Sequence, residues 1–144
     1  MAGMNIRIIY HSKTGNTKKV AEAMAASLGI RAEAMASAGQ GVAADLLVLG
    51  GAVYATSDHD LDPALERFIA GLDPARVKRA VVFSTGFSEG NLERLRARLA
   101  ARGIPVAPGG FYCKGRFALF NRKHPDATDL AAAAAFARDL VRAG

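Results

Sequence analysis

The sequence predicts an α/β fold in which helices cover both faces of a parallel sheet. Short apolar runs alternate along the chain with stretches whose apolar residues repeat at helical spacing. Such alternation is typical of strands joined by helical crossovers. Because those crossovers are right-handed, the sheet is doubly wound. The expectation is a three-layer α/β/α structure with a five-stranded parallel sheet. With 144 residues, the chain is predicted to form a single domain, residues 1–144.

The strand signals differ in strength. The first run is rich in β-branched residues, the second alternates weakly, and the third and fourth are continuously apolar, which suits buried parallel strands. The fifth carries two prolines and two glycines and is predicted to be an edge or irregular strand. In order, the predicted strands span 6–10, 30–35, 46–49, 80–84 and 104–112.

Four helices are predicted from apolar stripes and from their end signals. The first ends at Gly29, and the second opens with Asp62 as N-cap and Pro63 in the first helical position. The sequence does not decide whether a fifth helix lies between the second and third strands. The stripes consist of Val20, Ala21, Met24, Ala25 and Leu28, then Leu65, Phe68, Ile69 and Leu72, then Leu92, Leu95 and Leu99, and finally Leu130, Ala134, Ala137 and Val141 in a helix from about 128 to 142.

Composition narrows the functional class. The chain is 51% hydrophobic and 22% charged, an ordinary globular profile, and the short apolar run 6–10 fits neither an export signal nor a membrane span. One cysteine, Cys113, excludes an internal disulfide. A cytoplasmic protein without membrane attachment is therefore expected. The net charge is +6, and the stretch from Arg94 to Lys123 contains no Asp or Glu. That stretch is either a solvated helix face with a loop or a docking face for an anion or an acidic protein.

Ligands of open α/β sheets bind beyond the carboxyl ends of the strands, which points to the loops 11–17, 51–61 and 84–91. The first loop enters a helix directly and offers three hydroxyls and an amide around a glycine, with no negative charge. A helix cap needs only one such group, so the loop predicts a phosphate-binding turn at a helix N-terminus. Triphosphate and dinucleotide glycine motifs are absent. The predicted phosphate-loop residues are Ser12, Lys13, Thr14, Gly15, Asn16 and Thr17.

The segment 8–21, with its Ser-Lys-Thr-Gly-Asn-Thr core, resembles the flavodoxin signature. The resemblance extends over most of the chain and implies the flavodoxin fold, a strand order of 2-1-3-4-5 and noncovalently bound FMN. It further implies that the second loop, Ala52, Val53, Tyr54 and Ala55, lies against the flavin ring. There Tyr54 either stacks on the ring or packs on its own loop. The third loop, Thr85, Gly86 and Phe87, would close the other side of the ring.

Three functions fit this pattern. The first is FMN-dependent electron transfer, in which the flavin does the redox chemistry and no side chain acts as an acid–base catalyst. The second is an FMN oxidoreductase that uses NAD(P)H or oxidises a quinone or porphyrin-type substrate. The third is a cofactor-free binding module on the same fold. Unlike typical flavodoxins, which are acidic around the flavin edge, this chain is basic, so an expected redox partner carries an acidic docking face. No nucleic-acid module is recognised.

Two smaller features remain. Asp58, Asp60 and Asp62 form an acidic group around His59, and a solvated loop with one helix cap explains them better than a metal site. Cys113 is either a small buried hydrophobe or a redox thiol activated by Lys114 and Arg116. Asp126 is expected to cap the last helix. No metal site is predicted.

Overall fold

The computed structural model describes residues 4–12, 15–39, 41–52, 61–86, 90–114 and 124–143. It contains a five-stranded parallel sheet in the order β2-β1-β3-β4-β5, which confirms both the predicted fold class and the strand order. Within those ranges, none of the helices has the length and apolar character needed to cross a bilayer. The elements are β1 (Ile6–Tyr10), α1 (Asn16–Leu28), β2 (Ala32–Ala34), β3 (Leu46–Ala52), α2 (Pro63–Ala70), β4 (Ala80–Gly86), α3 (Gly90–Ala101), β5 (Phe111–Lys114) and α4 (Ala127–Ala143).

The sheet separates two hydrophobic cores. Because successive side chains of a strand point to opposite faces, Ile8 and Ile9 belong to different cores. On one face, Ile8 packs with residues of α1 and α4, among them Val20 and Met24. On the other face, Ile9 packs with α2 and α3. β1 pairs with β2 on one side and β3 on the other, so it is an interior strand covered on both faces. This position fixes the end of β1, where the first predicted loop begins.

The ends of α1 and α2 follow from their sequences. Gly15 precedes α1 with a φ of 91°, which few residues other than glycine adopt. Gly29 ends α1 in the left-handed conformation, and its N–H donates to the carbonyls of Ala25 and Ala26. Asp62 caps α2 as predicted, since its side chain accepts a hydrogen bond of 2.8 Å from the N–H of Ala64.

Two strands run further than their apolar patterns indicated. β3 continues through the glycine pair to Ala52, and β4 continues to Gly86. In β3 the two glycines are needed because neighbouring side chains occupy the space of a Cβ. An added Cβ at Gly50 would lie 2.1 Å from Cζ of Phe83, and one at Gly51 would lie 2.5 Å from Cδ1 of Leu65. The third strand therefore reaches Ala52 at the carboxyl edge of the sheet, three residues beyond its predicted end at residue 49.

Other expectations need correction. The predicted fifth strand is reduced to Phe111–Lys114, with Val106 making one isolated bridge to Ala80, because prolines and glycines interrupt the earlier part. The open helix between β2 and β3 is only a 3-10 turn, Met35–Ser37. In α4 the predicted stripe was wrong at Val141, which is 41% exposed. α4 buries Ala133 and Ala137, and it packs Leu130, Phe136 and Leu140 partly against the core.

The N-terminus of α4 is closed by a reciprocal pair of aspartates. The N–H of Asp129 donates to Oδ1 of Asp126, and the N–H of Asp126 donates to Oδ2 of Asp129, each at 2.9 Å. Asp126 therefore has the capping role expected from the sequence. His124 Nδ1 lies 2.6 Å from the same Oδ2. These contacts explain the cluster of His124, Asp126 and Asp129 as a helix cap.

Cys113 lies on β5 beneath this cap, and it is a buried, free thiol. Burial raises its pKa to about 12, and the charges of Asp129 and Asp126 act in the same direction. The described surroundings of Cys113 therefore favour the protonated thiol over the reactive thiolate. Lys114 points to solvent, and Arg116 lies outside the described residues. Cys113 is a core residue.

We expect the folded protein to resist iodoacetamide at pH 8, because the Cys113 thiol stays protonated and covered. Its folded pKa lies above the ordinary value of 9.0, so stability is unaffected below about pH 9 and falls as the pH rises toward 12. Mass spectrometry of the labelled native and guanidinium-unfolded chains checks the first point. Alkaline melts of the wild type and Cys113→Ala check the second, because the variant lacks this thiol's contribution. Rapid labelling of the native protein would contradict this assignment.

Candidate functional site at the carboxyl edge of the sheet

Two hydrogen bonds fix the described ends of the turn from β1 into α1. The N–H of His11 donates to the carbonyl of Gly50 at 3.0 Å, which extends the pairing of β1 with β3 by one residue. Ser12 then faces the helix, and its Oγ accepts a 3.0 Å hydrogen bond from the N–H of Gly15. A hydroxyl has one proton, so Ser12 keeps its O–H for another acceptor. The turn thus holds a donor beside the helix N-terminus.

The N-terminus of α1 carries positive charge and no acidic residue. The first backbone N–H groups of a helix have no partner inside it, and the helix dipole adds partial positive charge there. Gly15 makes no side-chain cap, and the first turn of α1 contains no Asp or Glu. Lys18 and Lys19 are instead exposed in that turn. This charge arrangement disfavours an isolated helix and favours a bound anion.

Two polar residues of the predicted loop are buried beneath this turn. Asn16 is 8% exposed and Thr17 is 1% exposed. Oγ1 of Thr17 lies 2.9 Å from Oγ1 of Thr85, which is fully buried near the end of β4. The first and third predicted loops therefore meet through a pair of hydroxyl groups that are 68 residues apart in sequence.

The end of β4 is tied to the edge strand. Thr85 pairs in register with Ala52 of β3 on one side and with Cys113 of β5 on the other. The hydroxyl of Tyr112 donates to the carbonyl of Gly86, the last residue of β4. This bond fixes the point from which the third predicted loop leaves the sheet.

A histidine and a carboxylate connect the first loop to α2. Nε2 of His11 lies 3.2 Å from Oδ2 of Asp62, and the two side chains are 20% and 10% exposed. The two atoms are out of line for a hydrogen bond, so the contact is electrostatic when the imidazole is protonated. The other oxygen of Asp62 caps α2. Asp62 thus belongs to the wall between the first two loops as well as to the helix cap.

The structure brings part of the predicted site together. Ser12, Gly15, Asn16 and Thr17 surround the start of α1, and Thr85 reaches them from β4. The backbone of Ala52 and that of Gly86 end the neighbouring strands. The remaining predicted site residues lie outside the described residues: Lys13, Thr14, Val53, Tyr54, Ala55 and Phe87. The acidic residues Asp58 and Asp60, with His59, lie outside them as well.

Three contributions were not foreseen from the sequence. The contact of His11 with Asp62 could have been suspected, because His11 directly precedes the loop motif and Asp62 opens a helix. The bond from Tyr112 had no sequence signal, because the register of β5 depends on three-dimensional packing. The Thr17–Thr85 contact likewise joins two residues that were each predicted for the site, but not as a pair.

Most arginines of the described basic stretch hold the fold together. Arg96 donates to the carbonyl of Gly109 and to Glu93, and Arg102 donates to the carbonyl of Leu72 at 2.8 Å. Arg98 forms an ion pair with Glu66 of α2 at 3.0 Å. These bonds join α3 to α2 and to the segment before β5. The stretch is therefore largely structural on α3, whereas Lys114 is exposed at the carboxyl edge.

The residues present fit the phosphate group of a flavin nucleotide. The fit rests on the Ser12 hydroxyl, the N-terminus of α1 and the lack of carboxylates in its first turn. The left-handed Gly15 supports it further, because a Cβ built there would meet nothing within 4 Å, so the turn is open on that side. Donors without acidic neighbours are what a phosphate dianion requires.

Comparison with known proteins identifies the fold. No family model matches the chain, and no curated protein matches it in sequence. Among solved structures, the chain is similar to oxidised flavodoxin 1 from Bacillus cereus, with a TM-score of 0.74 and 20% identity over 95% of this chain and 97% of that one. A flavodoxin from the domain Archaea gives a TM-score of 0.74 and 16% identity over 97% and 98%.

The same fold also occurs inside a longer protein. The rubredoxin oxygen:oxidoreductase of Desulfovibrio gigas matches with a TM-score of 0.68 and 18% identity over 96% of this chain, but over only 35% of its own length. In the first two matches, the alignment covers both chains almost completely. Taken with the strand order β2-β1-β3-β4-β5, they identify the architecture of this chain as the flavodoxin fold.

Proposed function

We propose that the protein binds FMN noncovalently at the carboxyl edge of the sheet and transfers electrons through it. The observation that carries the proposal is the start of α1, where a hydroxyl, the helix N-terminus and two lysines meet without any acidic residue. The flavodoxin fold supports it, because this edge is where the fold resemblance locates FMN. The flavin, when bound, supplies the redox chemistry.

The residues divide into two groups by proposed role. Ser12, Lys13, Thr14, Gly15, Asn16 and Thr17 hold the phosphate, which is the role that the resemblance to the flavodoxin signature implies. Ala52, Val53, Tyr54, Ala55, Thr85, Gly86 and Phe87 border the ring. The buried bonds of Thr85 and Tyr112 keep the end of β4 in place. The setting that we propose is the cytoplasm, where the single thiol of Cys113 stays reduced.

The first experiment is a titration of the apo-protein with FMN and with riboflavin, which lacks the phosphate. We expect saturable perturbation of the flavin absorbance and much tighter binding of FMN. Ser12→Ala should weaken FMN binding about ten- to a hundredfold, since a hydrogen bond to a charged group contributes about 1.5–3 kcal/mol.

Ser27→Ala is the matched control, because its hydroxyl bonds the carbonyl of Met24 near the far end of α1. We expect this variant to bind FMN as the wild type does. Equal binding of FMN and riboflavin by the wild type, or no flavin binding at high micromolar concentration, would contradict the proposal.

The proposed redox partner carries an acidic docking face. Lys18 and Lys19 on α1 and Lys114 on β5 form a basic rim at the edge where the flavin is proposed to bind. In the part of the chain that the structure describes, none of the three forms an ion pair. Several cations elsewhere do form ion pairs, for example Arg7 with Glu33, Lys78 with Asp45, Arg98 with Glu66 and Arg142 with Asp139. Unpaired positive charge around a redox site attracts negatively charged partners and raises their association rates.

The charge of the rim can be measured with small oxidants. We expect the reduced, FMN-loaded protein to react with anionic ferricyanide at a rate that falls as salt is added, because salt screens the attraction. Its reaction with cationic hexaammineruthenium should speed up with salt. Stopped-flow measurements on Lys19→Glu/Lys114→Glu should show these trends weakened or reversed.

The control for this test is Arg31→Glu/Arg76→Glu. It changes the net charge by the same amount at exposed positions on the opposite edge, before β2 and β4. If both double variants alter the salt dependence equally, net charge alone is responsible and the basic rim has no special role.

A further inference from the structure

We propose that Thr85 is a positioning residue that orients the hydroxyl of Thr17 toward the phosphate of the bound flavin nucleotide. The inference rests on the proposed function, because it concerns how the same site holds an anion. It assigns the side chain of Thr85 to the phosphate end of the site. On the resemblance alone, Thr85 would lie beside the flavin ring.

The contact between the two threonines is buried and specific. Their Oγ1 atoms are 2.9 Å apart, and the residues are 1% and 0% exposed. Thr85 sits on β4 two residues after Phe83, so both side chains point to the face of the sheet covered by α1. Thr17 is the second residue of α1, and its hydroxyl lies under the helix N-terminus. Both hydroxyls are almost fully buried, so each depends on the other or on a bound ligand for a hydrogen bond.

The number of hydroxyl protons determines which threonine is the donor when an anion is bound. Each hydroxyl has one proton to donate, and either threonine could be the donor in the observed contact. Inside a helix, a threonine hydroxyl donates to the carbonyl one turn earlier, but no helical turn precedes Thr17. An anion at this N-terminus only accepts hydrogen bonds. Thr17 can donate to it only when Thr85 donates to Thr17.

The hydroxyl pair has two arrangements, because either Thr17 or Thr85 can be the donor. A bound anion favours the arrangement in which Thr85 donates to Thr17. With Thr85 as donor to Thr17, both protons are used and the Thr17 hydroxyl is held in a single orientation. A donor already oriented before binding gains more from a charged acceptor than one that must first be ordered. The contact also joins the phosphate end of the site to the strand from which the third loop departs. Loss of the Thr85 hydroxyl should thus weaken recognition of the phosphate and leave the ring contacts unchanged.

The test compares Thr85→Val, which keeps the shape but removes the hydroxyl, with Thr85→Ser, which keeps the hydroxyl. A third variant, Thr17→Val/Thr85→Val, removes both hydroxyls, and such paired replacement by apolar groups of similar shape can be nearly neutral for stability. Fluorescence titration of each apo-protein with FMN and with riboflavin gives the preference for the phosphate. Melting temperatures of the apo-proteins give the purely structural effect.

We expect Thr85→Val to lower the preference for FMN over riboflavin about five- to tenfold, which is the size of one ordinary hydrogen bond. Thr85→Ser should retain the preference. The double valine variant should melt close to the wild type and still show the reduced preference, which separates phosphate recognition from folding.

A wild-type protein that prefers FMN, together with a Thr85→Val variant that keeps this preference, contradicts the positioning role alone. The same holds if Thr85→Val weakens FMN and riboflavin by equal factors, because that result indicates a structural role. A wild type that shows no preference for FMN contradicts the proposed function, and the inference fails with it.

Discussion

The structure depends on the way β1 passes into α1. β1 is an interior strand whose side chains enter both cores, and α1 is held against the sheet by the burial of Val20, Ala21 and Met24. Gly15 provides the left-handed backbone between them. Burying these side chains stabilises α1 by far more than the lysines of its first turn cost, since each large apolar side chain contributes about 1.5–3 kcal/mol. The core therefore holds a positive helix end at the edge of the sheet.

Other parts of the fold meet at the same edge. Parallel strands end together, so β3 and β4 bring Ala52 and Thr85 side by side. The Thr17–Thr85 contact, the bond from Tyr112 to Gly86 and the His11–Asp62 contact each join a different pair of elements around this edge. These contacts cross-link the edge where the cores reach it, which is the kind of support that a binding site needs.

Local patterns predicted most of this fold. The apolar runs of β1, β3 and β4 and the stripes of the first three helices were visible because each element buries a continuous face. The cap formed by Asp62 and the termination at Gly29 depend only on neighbouring residues, and both were predicted. In contrast, β3 extends past its glycine pair, where Phe83 and Leu65 fill the space of the missing side chains. That complementarity is between distant residues and leaves no local signal.

The errors have the same physical origin. Val141 falls at helical spacing with Ala137, but it lies near the end of α4 and stays exposed. Cys113 is followed by cations in sequence, but its pKa is raised by burial and by two aspartates of the α4 cap. In the candidate site, the loop beginning at Ser12 was recognisable because it combines hydroxyl and amide side chains with a glycine and has no acidic residue. The pairing of Thr17 with Thr85 was not, because it requires the register of the whole sheet.

The central claim is that the start of α1 holds an anion. The most direct measurement is an amide ¹H–¹⁵N NMR titration of the apo-protein with inorganic phosphate, and separately with FMN. We expect both ligands to shift the amide resonances of Gly15, Thr17 and Lys18, and only FMN to shift those of residues at the ends of β3 and β4 as well. Phosphate-induced shifts confined to other surfaces, with the start of α1 unchanged by FMN, would contradict it.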